Sequence, residues 1–576
     1  MTALPPMLPR AAAGCLATLL AACASVPAAT APAASAPATA APAPAAGAAI
    51  AVEVPQVAHP AGETAAWWYR LGASQAAARG AMGGRAKNLI LFLGDGMSLP
   101  TVAAARILAG QRKGEPGEGT LLSWEAFPDT ALSRTYNTDS QVPDSAGTMS
   151  AIATGVKTRY GVISIGPQAP RYDCDAARAA PMLTLWELAA ASGMATGVVT
   201  TTKVTHATPA ATFSHSADRN WENDTIMAKS PGTAACVDIA RQMVESPYGN
   251  GLDVMLGGGR GNFMPSTQQD PEYPDVRGLR SDGRDLVAEW QARHPQGAYA
   301  WDAAQLAAAP ASAPLLGLFE PSQMHYAHDA AQDRAGAPSL ADMTRAAIEH
   351  LQAQGKDGYV LLVEGALIDY ANHDGNAFRA LDETIAMSDA VAAADAMTSP
   401  DDTLILVTAD HAHTLTFVGY PTRGNPILGK VMRPGRDGVA KPSLDVDGLP
   451  YTTLQYANGA GAAKGGAPRA DLSDVDTTDP EFRQQALVAL GGETHGGDDV
   501  GVWARGPGAA AVRGSIEENT LFHFFVQATP VLREALCAKG YCDANGVPAE
   551  LPDPEAFAPP SAAQAALKTV SPAPAR

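Results

Sequence analysis

Asn-Leu-Ile-Leu-Phe-Leu-Gly-Asp-Gly, residues 88–96, is the stretch of this sequence that indicates the fold. Its apolar run is short and ends at a glycine and an aspartate, which is typical of a strand buried on both faces of a sheet. Similar runs occur at 195–200, 254–256, 359–363 and 403–407, and helical patterns lie between the runs at 183–192, 339–354 and 377–397. This alternation predicts an α/β fold, a three-layer αβα sandwich around a central, mainly parallel sheet.

The composition fits a large globular protein with an acidic surface. The chain has 576 residues, of which 46% are hydrophobic, and its formal net charge is −19. This much apolar material excludes wholesale disorder. An acidic surface repels a phosphate backbone, so no nucleic-acid partner is expected. A small anionic substrate is still compatible, because a metal ion or a helix terminus can reverse the field locally.

The N-terminus predicts export. Residues 1–23 have the pattern of a signal peptide, with Arg10 before an apolar stretch that is too short to span a membrane. Leu20-Ala21-Ala22-Cys23 resembles a bacterial lipobox, which predicts lipidation of Cys23, and ordinary cleavage at this place is the alternative. The expected location is the periplasm or the outer membrane as a lipoprotein, with the membrane contacted only through the lipid.

The rest of the chain divides by composition. Residues 24–60 are rich in Ala and Pro and predict a flexible tether. Residues 61–544 form the predicted globular domain, and within it residues 415–494 are rich in Gly, Pro and Asp and predict an insertion. Residues 545–576 predict a loose tail.

The cysteines beyond the signal are Cys174, Cys236, Cys537 and Cys542. An even number in an oxidising compartment predicts disulfides, most simply Cys174–Cys236 and Cys537–Cys542. A zinc site is the alternative, but the sequence contains no Cys-x-x-Cys pair. Disulfides are therefore favoured.

Acidic residues and histidines follow the predicted strands. Asp95 follows the first strand, and Glu364 follows the strand at 359–363. Asp369 and His373 are four residues apart, so they share one face of a helix. Ionisable groups beside a buried strand cost several kcal/mol unless they are paired or bind a metal, which favours metal ligation.

Two further segments offer zinc ligands. Asp410-His411-Ala412-His413 follows the strand at 403–407, and Asp-His-x-His at a strand end is suited to zinc. His495 is framed by glycines in Gly491-Gly492-Glu493-Thr494-His495-Gly496-Gly497. With the cysteines oxidised, histidine and carboxylate are the strong ligands that remain.

Other residues suit an anion or a hard cation. Ser145 is predicted at a helix N-terminus, where the dipole favours an anion, although a simple N-cap is the alternative. In the threonine-rich stretch 200–209, Thr208 offers a hydroxyl suited to magnesium, and Arg219 could grip two phosphate oxygens. Gly257-Gly258-Gly259-Arg260 imitates a phosphate loop but lacks its Gly-Lys ending, and it predicts only a tight turn.

Together these segments resemble the alkaline phosphatase family over roughly residues 85–525, closer to the animal-type enzymes. The matching motifs are Gly94-Asp95-Gly96, Pro143-Asp144-Ser145-Ala146, Thr208 with Arg219, Glu364 with Asp369 and His373, Asp410-His411-x-His413, and Glu493-Thr494-His495-Gly496-Gly497. The Cys174–Cys236 pair also fits the animal-type pattern. The resemblance implies an exported enzyme that hydrolyses small phosphate monoesters.

The resemblance also implies a role for each site residue. Ser145 would be the nucleophile, and Arg219 would hold the phosphate. Asp369, His373 and His495 would bind a first zinc ion, and Asp410 and His411 a second. Asp95 would bridge to a magnesium ion held also by Thr208 and Glu364, and His413 would orient Asp369. Tyr370, next to Asp369, and His206, near the third ion, stand where the family varies, so the third site could hold zinc instead.

The resemblance also concerns the oligomeric state and a calcium site, and it implies the first but not the second. The insertion at 415–494 is similar to the family's crown region, which lies near the dimer interface, so a homodimer is implied. Animal-type enzymes carry a calcium site that Phe319 and Glu320 match. Ala337 stands where that site needs an aspartate, so the resemblance does not extend safely to calcium.

The alternative functions differ from a phosphate monoesterase either in the nucleophile that they use or in having no catalytic activity. Phosphodiesterases of the same superfamily usually present threonine, and sulfatases need a modified cysteine or serine in another motif. A non-catalytic lipoprotein that binds metal or phosphate is the alternative from a different class. Ser145 with Arg219 favours a monoesterase, because a monoester has the extra charged oxygens that an arginine can grip.

Overall fold

A ten-stranded sheet lies at the centre of the computed structural model, which describes residues 50–57 and 59–559. The strands are β1 (Asn88–Gly94), β2 (Asp129–Arg134), β3 (Ala195–Lys203), β4 (Val254–Gly258), β5 (Ala298–Ala300), β6 (Leu315–Leu318), β7 (Tyr359–Gly365), β8 (Thr403–Ala409), β9 (Ala412–His413), β10 (Leu415–Phe417), β11 (Met432–Pro434), β12 (Ala440–Pro442), β13 (Leu454–Gly459), β14 (Ala486–Ala489), β15 (His495–Gly496), β16 (Val500–Arg505) and β17 (Gly514–Glu517). The order in the central sheet is β17-β2-β16-β8-β1-β7-β3-β4-β6-β5.

The central sheet is parallel apart from one strand. β16 runs antiparallel to both of its neighbours, β8 and β2, and every other pairing in this sheet is parallel. In the middle of the sheet, Leu91 of β1 is level with Leu362 of β7 and Leu406 of β8. The strands predicted from the apolar runs are confirmed as β1, β3, β4, β7 and β8.

Helices cover both faces of the sheet. They are α1 (Ala65–Ala78), α2 (Leu99–Gln111), α3 (Ser145–Thr154), α4 (Cys174–Arg178), α5 (Leu185–Ala191), α6 (Ala207–Ala210), α7 (Asp224–Met227), α8 (Ile239–Glu245), α9 (Leu286–Arg293), α10 (Ala303–Ala308), α11 (Leu340–Ala353), α12 (Leu367–His373), α13 (Ala377–Met397), α14 (Thr520–Ala528) and α15 (Pro530–Ala538). Leu89, Leu91 and Leu93 of β1 belong to a core shared with α1, α3, α5 and α14. Ile90 and Phe92 belong to a second core shared with α2, α11 and α13. This alternation along β1 confirms the three-layer sandwich.

The predicted insertion carries small sheets of its own. One contains β10, β13 and β14, and another contains β11 and β12. At its base β9 pairs with β15, which places His413 opposite His495. The two ends of the insertion are therefore joined beside the strand ends of the central sheet.

Parts of both predicted loose ends pack on the body. Val547 and Ala549 are buried against α1, and Ile50 and Val52 lie partly buried on the same small core. The prediction of a tether through residue 60 and of a loose tail from residue 545 is corrected for these parts. A few apolar side chains among the alanines and prolines are enough to anchor them. The predicted signal peptide and Cys23 lie outside the described residues.

Two disulfides are formed as the sequence predicts. Cys174 at the start of α4 pairs with Cys236, and Cys537 of α15 pairs with Cys542. The alternative of a zinc site built from these cysteines is therefore excluded in this structure. Among the described residues, no helix is long and apolar enough to cross a membrane.

Candidate active site

The carboxyl ends of adjacent strands bring together acidic residues that are far apart in sequence. Asp95 follows β1, Glu364 lies near the end of β7, and Asp410 follows β8. Because β8, β1 and β7 are neighbours in the sheet, these carboxylates meet at one edge. All three side chains are completely buried.

Ser145 is the first residue of α3 and points into this acidic group. Asp144 is the N-cap, and its carboxylate accepts a hydrogen bond from the backbone N–H of Gly147 at 3.2 Å. Ser145 Oγ lies 3.4 Å from Asp95 Oδ1 and 3.2 Å from His411 Nε2. The hydroxyl is therefore presented at a helix N-terminus, where negative charge is favoured.

Asp144 also connects Ser145 to Arg219. Arg219 Nη1 donates to Asp144 Oδ2 at 2.9 Å, and Arg219 Nη2 lies 3.2 Å from His206 Nε2. Burial alone would raise the pKa of Asp144, but Arg219 and the backbone N–H of Gly161 hold that pKa below its usual value. No role for Asp144 follows from its motif in the sequence, although its carboxylate holds the arginine beside the serine.

A first cluster of donors forms around Asp369. Its Oδ1 lies 2.7 Å from His413 Nε2, 3.3 Å from His373 Nε2 and 3.4 Å from His495 Nε2. The Nε2 atoms of His373 and His495 are 3.1 Å apart. One carboxylate and several imidazoles that converge in this way offer the nitrogen and oxygen donors that zinc prefers.

A second cluster adjoins the first. His411 Nε2 lies 3.3 Å from Asp95 Oδ1 and 3.4 Å from Asp410 Oδ2. The His411 ring stacks on the ring of His495 with centroids 3.7 Å apart. The two clusters therefore stand side by side, with Ser145 at the second of them.

A third group offers oxygen atoms without partners. Within the described part of the chain, Asp95 Oδ2, Thr208 Oγ1 and Glu364 Oε1 are buried and have no hydrogen-bond partner. The other oxygen of Glu364 accepts from Thr200 Oγ1 at 2.5 Å. Unpaired buried oxygens are costly, and a hard cation such as magnesium would satisfy them.

His206 and Tyr370 stand beside this third group. A ring nitrogen of His206 lies within 4.8 Å of carboxylate oxygens of Asp95 and Glu364. The Tyr370 hydroxyl is 3.3 Å from Thr202 Oγ1, and its ring centroid is 5.9 Å from that of His206. The structure thus brings together every residue that the sequence places in the three groups.

The electrostatics of the acidic group favour bound cations. Burial, and then the charge of Asp369, raise the pKa of Asp95 well above its usual value. Burial and the neighbouring Asp95 do the same for Glu364, and they raise the pKa of Asp410 to about 6. Bound cations would offset this repulsion and favour the ionised carboxylates.

Sequence reasoning missed Glu493, which was quoted in a motif without a role. Its Oε2 lies 2.5 Å from Nδ1 of His413, and its backbone carbonyl oxygen lies 2.6 Å from Nδ1 of His373. No local pattern shows these contacts, because Glu493 is separated from His373 by the whole insertion.

A separate carboxylate group lies around Glu320. Glu320 Oε1 is 3.3 Å from His325 Nε2, and these residues form a possible cation site with Asp333. Burial, and then the charges of Glu272 and Asp333, raise the pKa of Glu320 to about 8. Asp333 thus contributes a carboxylate to this group. The aspartate that the family's calcium site has at position 337 is replaced here by Ala337.

The glycine run after β4 is a turn. β4 ends at Gly258, Gly259 has a φ of 93°, and a short 3₁₀ helix begins at Arg260. Arg260 is buried, and its guanidinium binds Asp270 with two hydrogen bonds of 2.7 Å. This geometry confirms the tight turn that the sequence predicts.

Comparison with known proteins identifies relatives over most of the chain. A family model described as alkaline phosphatase matches residues 86–531. The tissue-nonspecific isozyme of alkaline phosphatase from Gallus gallus is 44% identical over 451 residues, which are 77% of this chain and 84% of that protein. Alkaline phosphatase from Gadus morhua is 42% identical and is covered to 92%, again over 77% of this chain.

Solved bacterial structures share the fold. Thermus thermophilus alkaline phosphatase aligns with a TM-score of 0.55 at 24% identity, over 78% of this chain and 92% of that one. Alkaline phosphatase from the Antarctic bacterium TAB5 aligns with a TM-score of 0.53 at 22% identity, over 77% of this chain and 98% of that one. At these identities the likeness concerns the architecture alone.

Proposed function

The chain belongs to the alkaline phosphatase family, and on this premise we propose that it cleaves phosphate monoesters through a phosphoserine on Ser145. Membership makes the protein a metal-dependent phosphomonoesterase. The observation that carries the proposed mechanism is the position of Ser145 Oγ, 3.2 Å from His411 Nε2 and 3.4 Å from Asp95 Oδ1. Both neighbours are candidate metal ligands.

The donor sets support two zinc ions and one magnesium ion. The proposed ligands are Asp369, His373 and His495 for the first zinc, Asp410 and His411 for the second, with Asp95 shared with magnesium, and Thr208 and Glu364 for magnesium. Clusters that combine imidazole nitrogens with carboxylates suit zinc, and the unpaired oxygens of the third group suit magnesium, although His206 beside them could also admit zinc. Bound zinc would lower the pKa of the serine hydroxyl and of a water molecule and would stabilise the departing oxygen.

The protein's own residues then account for two displacement steps. Ser145 Oγ bonds to phosphorus while the bond from phosphorus to the ester oxygen breaks, and the alcohol leaves with a proton in place of the one that the serine hydroxyl gives up. Water next attacks the phosphoserine, Oγ departs and regains a proton from the water, and inorganic phosphate is released. Arg219, oriented by Asp144, offsets the charge on the remaining phosphate oxygens throughout.

Export, the lipid anchor and the homodimer are part of this proposal. The disulfides support an exported protein, because such bonds persist in oxidising compartments. We propose the periplasm or the outer membrane as its location, with Cys23 as the lipidated residue. A homodimer through the crown-like insertion is proposed from the family.

Hydrolysis of a chromogenic monoester tests the function. The purified protein is assayed at alkaline pH with 4-nitrophenyl phosphate, after chelation, and after zinc and magnesium are returned, beside the diester bis(4-nitrophenyl) phosphate. Monoester cleavage that disappears with chelator and returns with metal is expected. Preference for the diester would indicate a phosphodiesterase, and metal binding without turnover would indicate a binding lipoprotein. Either result would contradict the proposal.

A further inference from the structure

The carboxylate of Glu493 is held in one orientation by several contacts. Glu493 is 3% exposed and lies just before β15. Its Oε1 accepts hydrogen bonds from Thr414 N at 2.7 Å and from Thr414 Oγ1 at 2.5 Å, and its Oε2 lies 2.5 Å from His413 Nδ1. Both oxygens are therefore engaged.

His413 is held between two carboxylates. Its Nδ1 contacts Glu493, and its Nε2 lies 2.7 Å from Asp369 Oδ1. Each ring nitrogen of His413 therefore faces one carboxylate oxygen, and the two contacts together fix the orientation of the ring. The orientation of Glu493 is thereby passed through His413 to the carboxylate of Asp369.

The backbone of the same residue orients a second imidazole. The carbonyl oxygen of Glu493 lies 2.6 Å from His373 Nδ1, and its N–H donates to the carbonyl oxygen of His373 at 2.8 Å. This contact fixes the His373 ring from behind and turns its Nε2 toward Asp369. Histidines that bind metals are commonly oriented in this way through their other nitrogen.

The insertion holds this loop in place. Thr494 N donates to Asn458 Oδ1 at 3.0 Å, and Asn458 Nδ2 donates to Thr494 Oγ1 at 2.9 Å. A side-chain carbon added at Gly459 would lie 3.2 Å from the Cβ of Glu493, so β13 approaches the loop closely. Residues of β13, inside the insertion, therefore add to the support that Thr414 gives to Glu493.

We propose that Glu493 is a positioning residue for the first metal cluster, which orients Asp369 through His413 and His373 through its own carbonyl group. The inference rests on the proposed function, because that function assigns Asp369 and His373 to zinc. Loss of such a supporting contact typically weakens metal affinity by about 10- to 100-fold.

Zinc affinity measured without substrate tests the proposal. The full-length protein is stripped of metal, and zinc is titrated in competition with a chromogenic chelator. Glu493→Ala is expected to weaken zinc binding by about 10- to 100-fold. Glu493→Gln should lose less, because its amide oxygen still accepts one bond. Asp499→Asn, which removes the same charge from an exposed position on the same segment, is the matched control and should bind as the unaltered protein does.

A second variant separates positioning from folding. Thr414→Val keeps the Glu493 carboxylate but removes one of the hydrogen bonds that orient it, so a smaller loss of zinc affinity in the same direction is expected. Circular dichroism of each metal-free variant shows whether it is folded. Unchanged zinc affinity in folded Glu493→Ala would overturn the proposal. If that variant does not fold, unchanged affinity in Thr414→Val would overturn it.

The same titration distinguishes this inference from the proposed function. If the unaltered protein does not cleave monoesters but Glu493→Ala still binds zinc more weakly than it does, the proposed function is contradicted and the positioning role is supported. Activity that excess zinc restores in Glu493→Gln would support both, because a deficit in affinity is repaired by concentration.

Discussion

Replacement of Ser145 should separate turnover from metal binding. In the proposed mechanism its hydroxyl takes part in the reaction, whereas the proposed metal ligands around it lie on other elements of the fold. Ser145→Ala is therefore expected to reduce turnover by on the order of 1,000-fold or more. Zinc content, measured by atomic emission after desalting, should stay the same.

Ser150 offers a matched control on the same helix. Its Oγ donates to the Ala146 carbonyl group at 2.6 Å, away from the acidic group at the strand ends. Ser150→Ala should keep turnover within a few-fold of the unaltered enzyme. Unimpaired turnover in Ser145→Ala, or equal losses in the two variants, would remove the serine from the mechanism.

At the scale of elements, α3 is held at both ends. Its N-terminus carries Asp144 and Ser145, and its C-terminus ends at Gly155, whose φ is 75°. Asn519 Nδ2 donates to the Gly155 carbonyl oxygen at 3.0 Å and to the Trp68 carbonyl oxygen at 2.8 Å. The side chain just before α14 therefore joins α3 to α1.

Loss of this bridge should destabilise the fold. Asn519→Ala leaves two buried carbonyl groups without this donor, so we expect the free energy of unfolding to fall by about 1–3 kcal/mol. Urea denaturation followed by circular dichroism measures the change. Asn545→Ala, at an exposed turn, is the control and should change stability by less than about 0.5 kcal/mol. A value for Asn519→Ala as small as this would contradict the bridging role.

At the scale of the whole molecule, the buried carboxylates of the acidic site lower the free energy of unfolding when they are ionised, and bound cations would offset this loss. The pKa values of Asp95 and Glu364 lie well above their usual range, and that of Asp410 is about 6, because of burial and mutual repulsion. A folded pKa above the unfolded one means that stability is present at low pH and is lost as the pH rises through that window. The net charge of −19 adds general repulsion.

Metal-free protein should therefore lose thermal stability as the pH rises from about 4, the ordinary carboxyl pKa, through about 6, the pKa of Asp410, and above it. Zinc and magnesium should reduce this slope, because they bind the ionised carboxylates of the folded state. Scanning calorimetry across this range, with and without the ions, measures the difference. The same slope under both conditions would show that these carboxylates are not where the ions bind.

The fold class and the chemistry of the site could be predicted from the sequence. Short apolar runs separated by helical patterns predict a parallel sheet, because strands buried on both faces commonly have that composition. Asp95, Glu364 and Asp410 follow such runs, and functional residues gather at the carboxyl ends of parallel strands. These are local patterns, so local sequence carries them.

The local patterns did not determine which of these residues meet, which only the family resemblance implied, or how the ends of the chain lie. The tertiary structure decided both. The order β8-β1-β7 brings Asp410, Asp95 and Glu364 together, and the pairing of β9 with β15 brings His413 to His495. Strand order and loop closure depend on contacts between distant segments, which no local pattern contains. For the same reason, the role of Glu493 and the packing of residues 545–559 emerge only when the whole chain has folded.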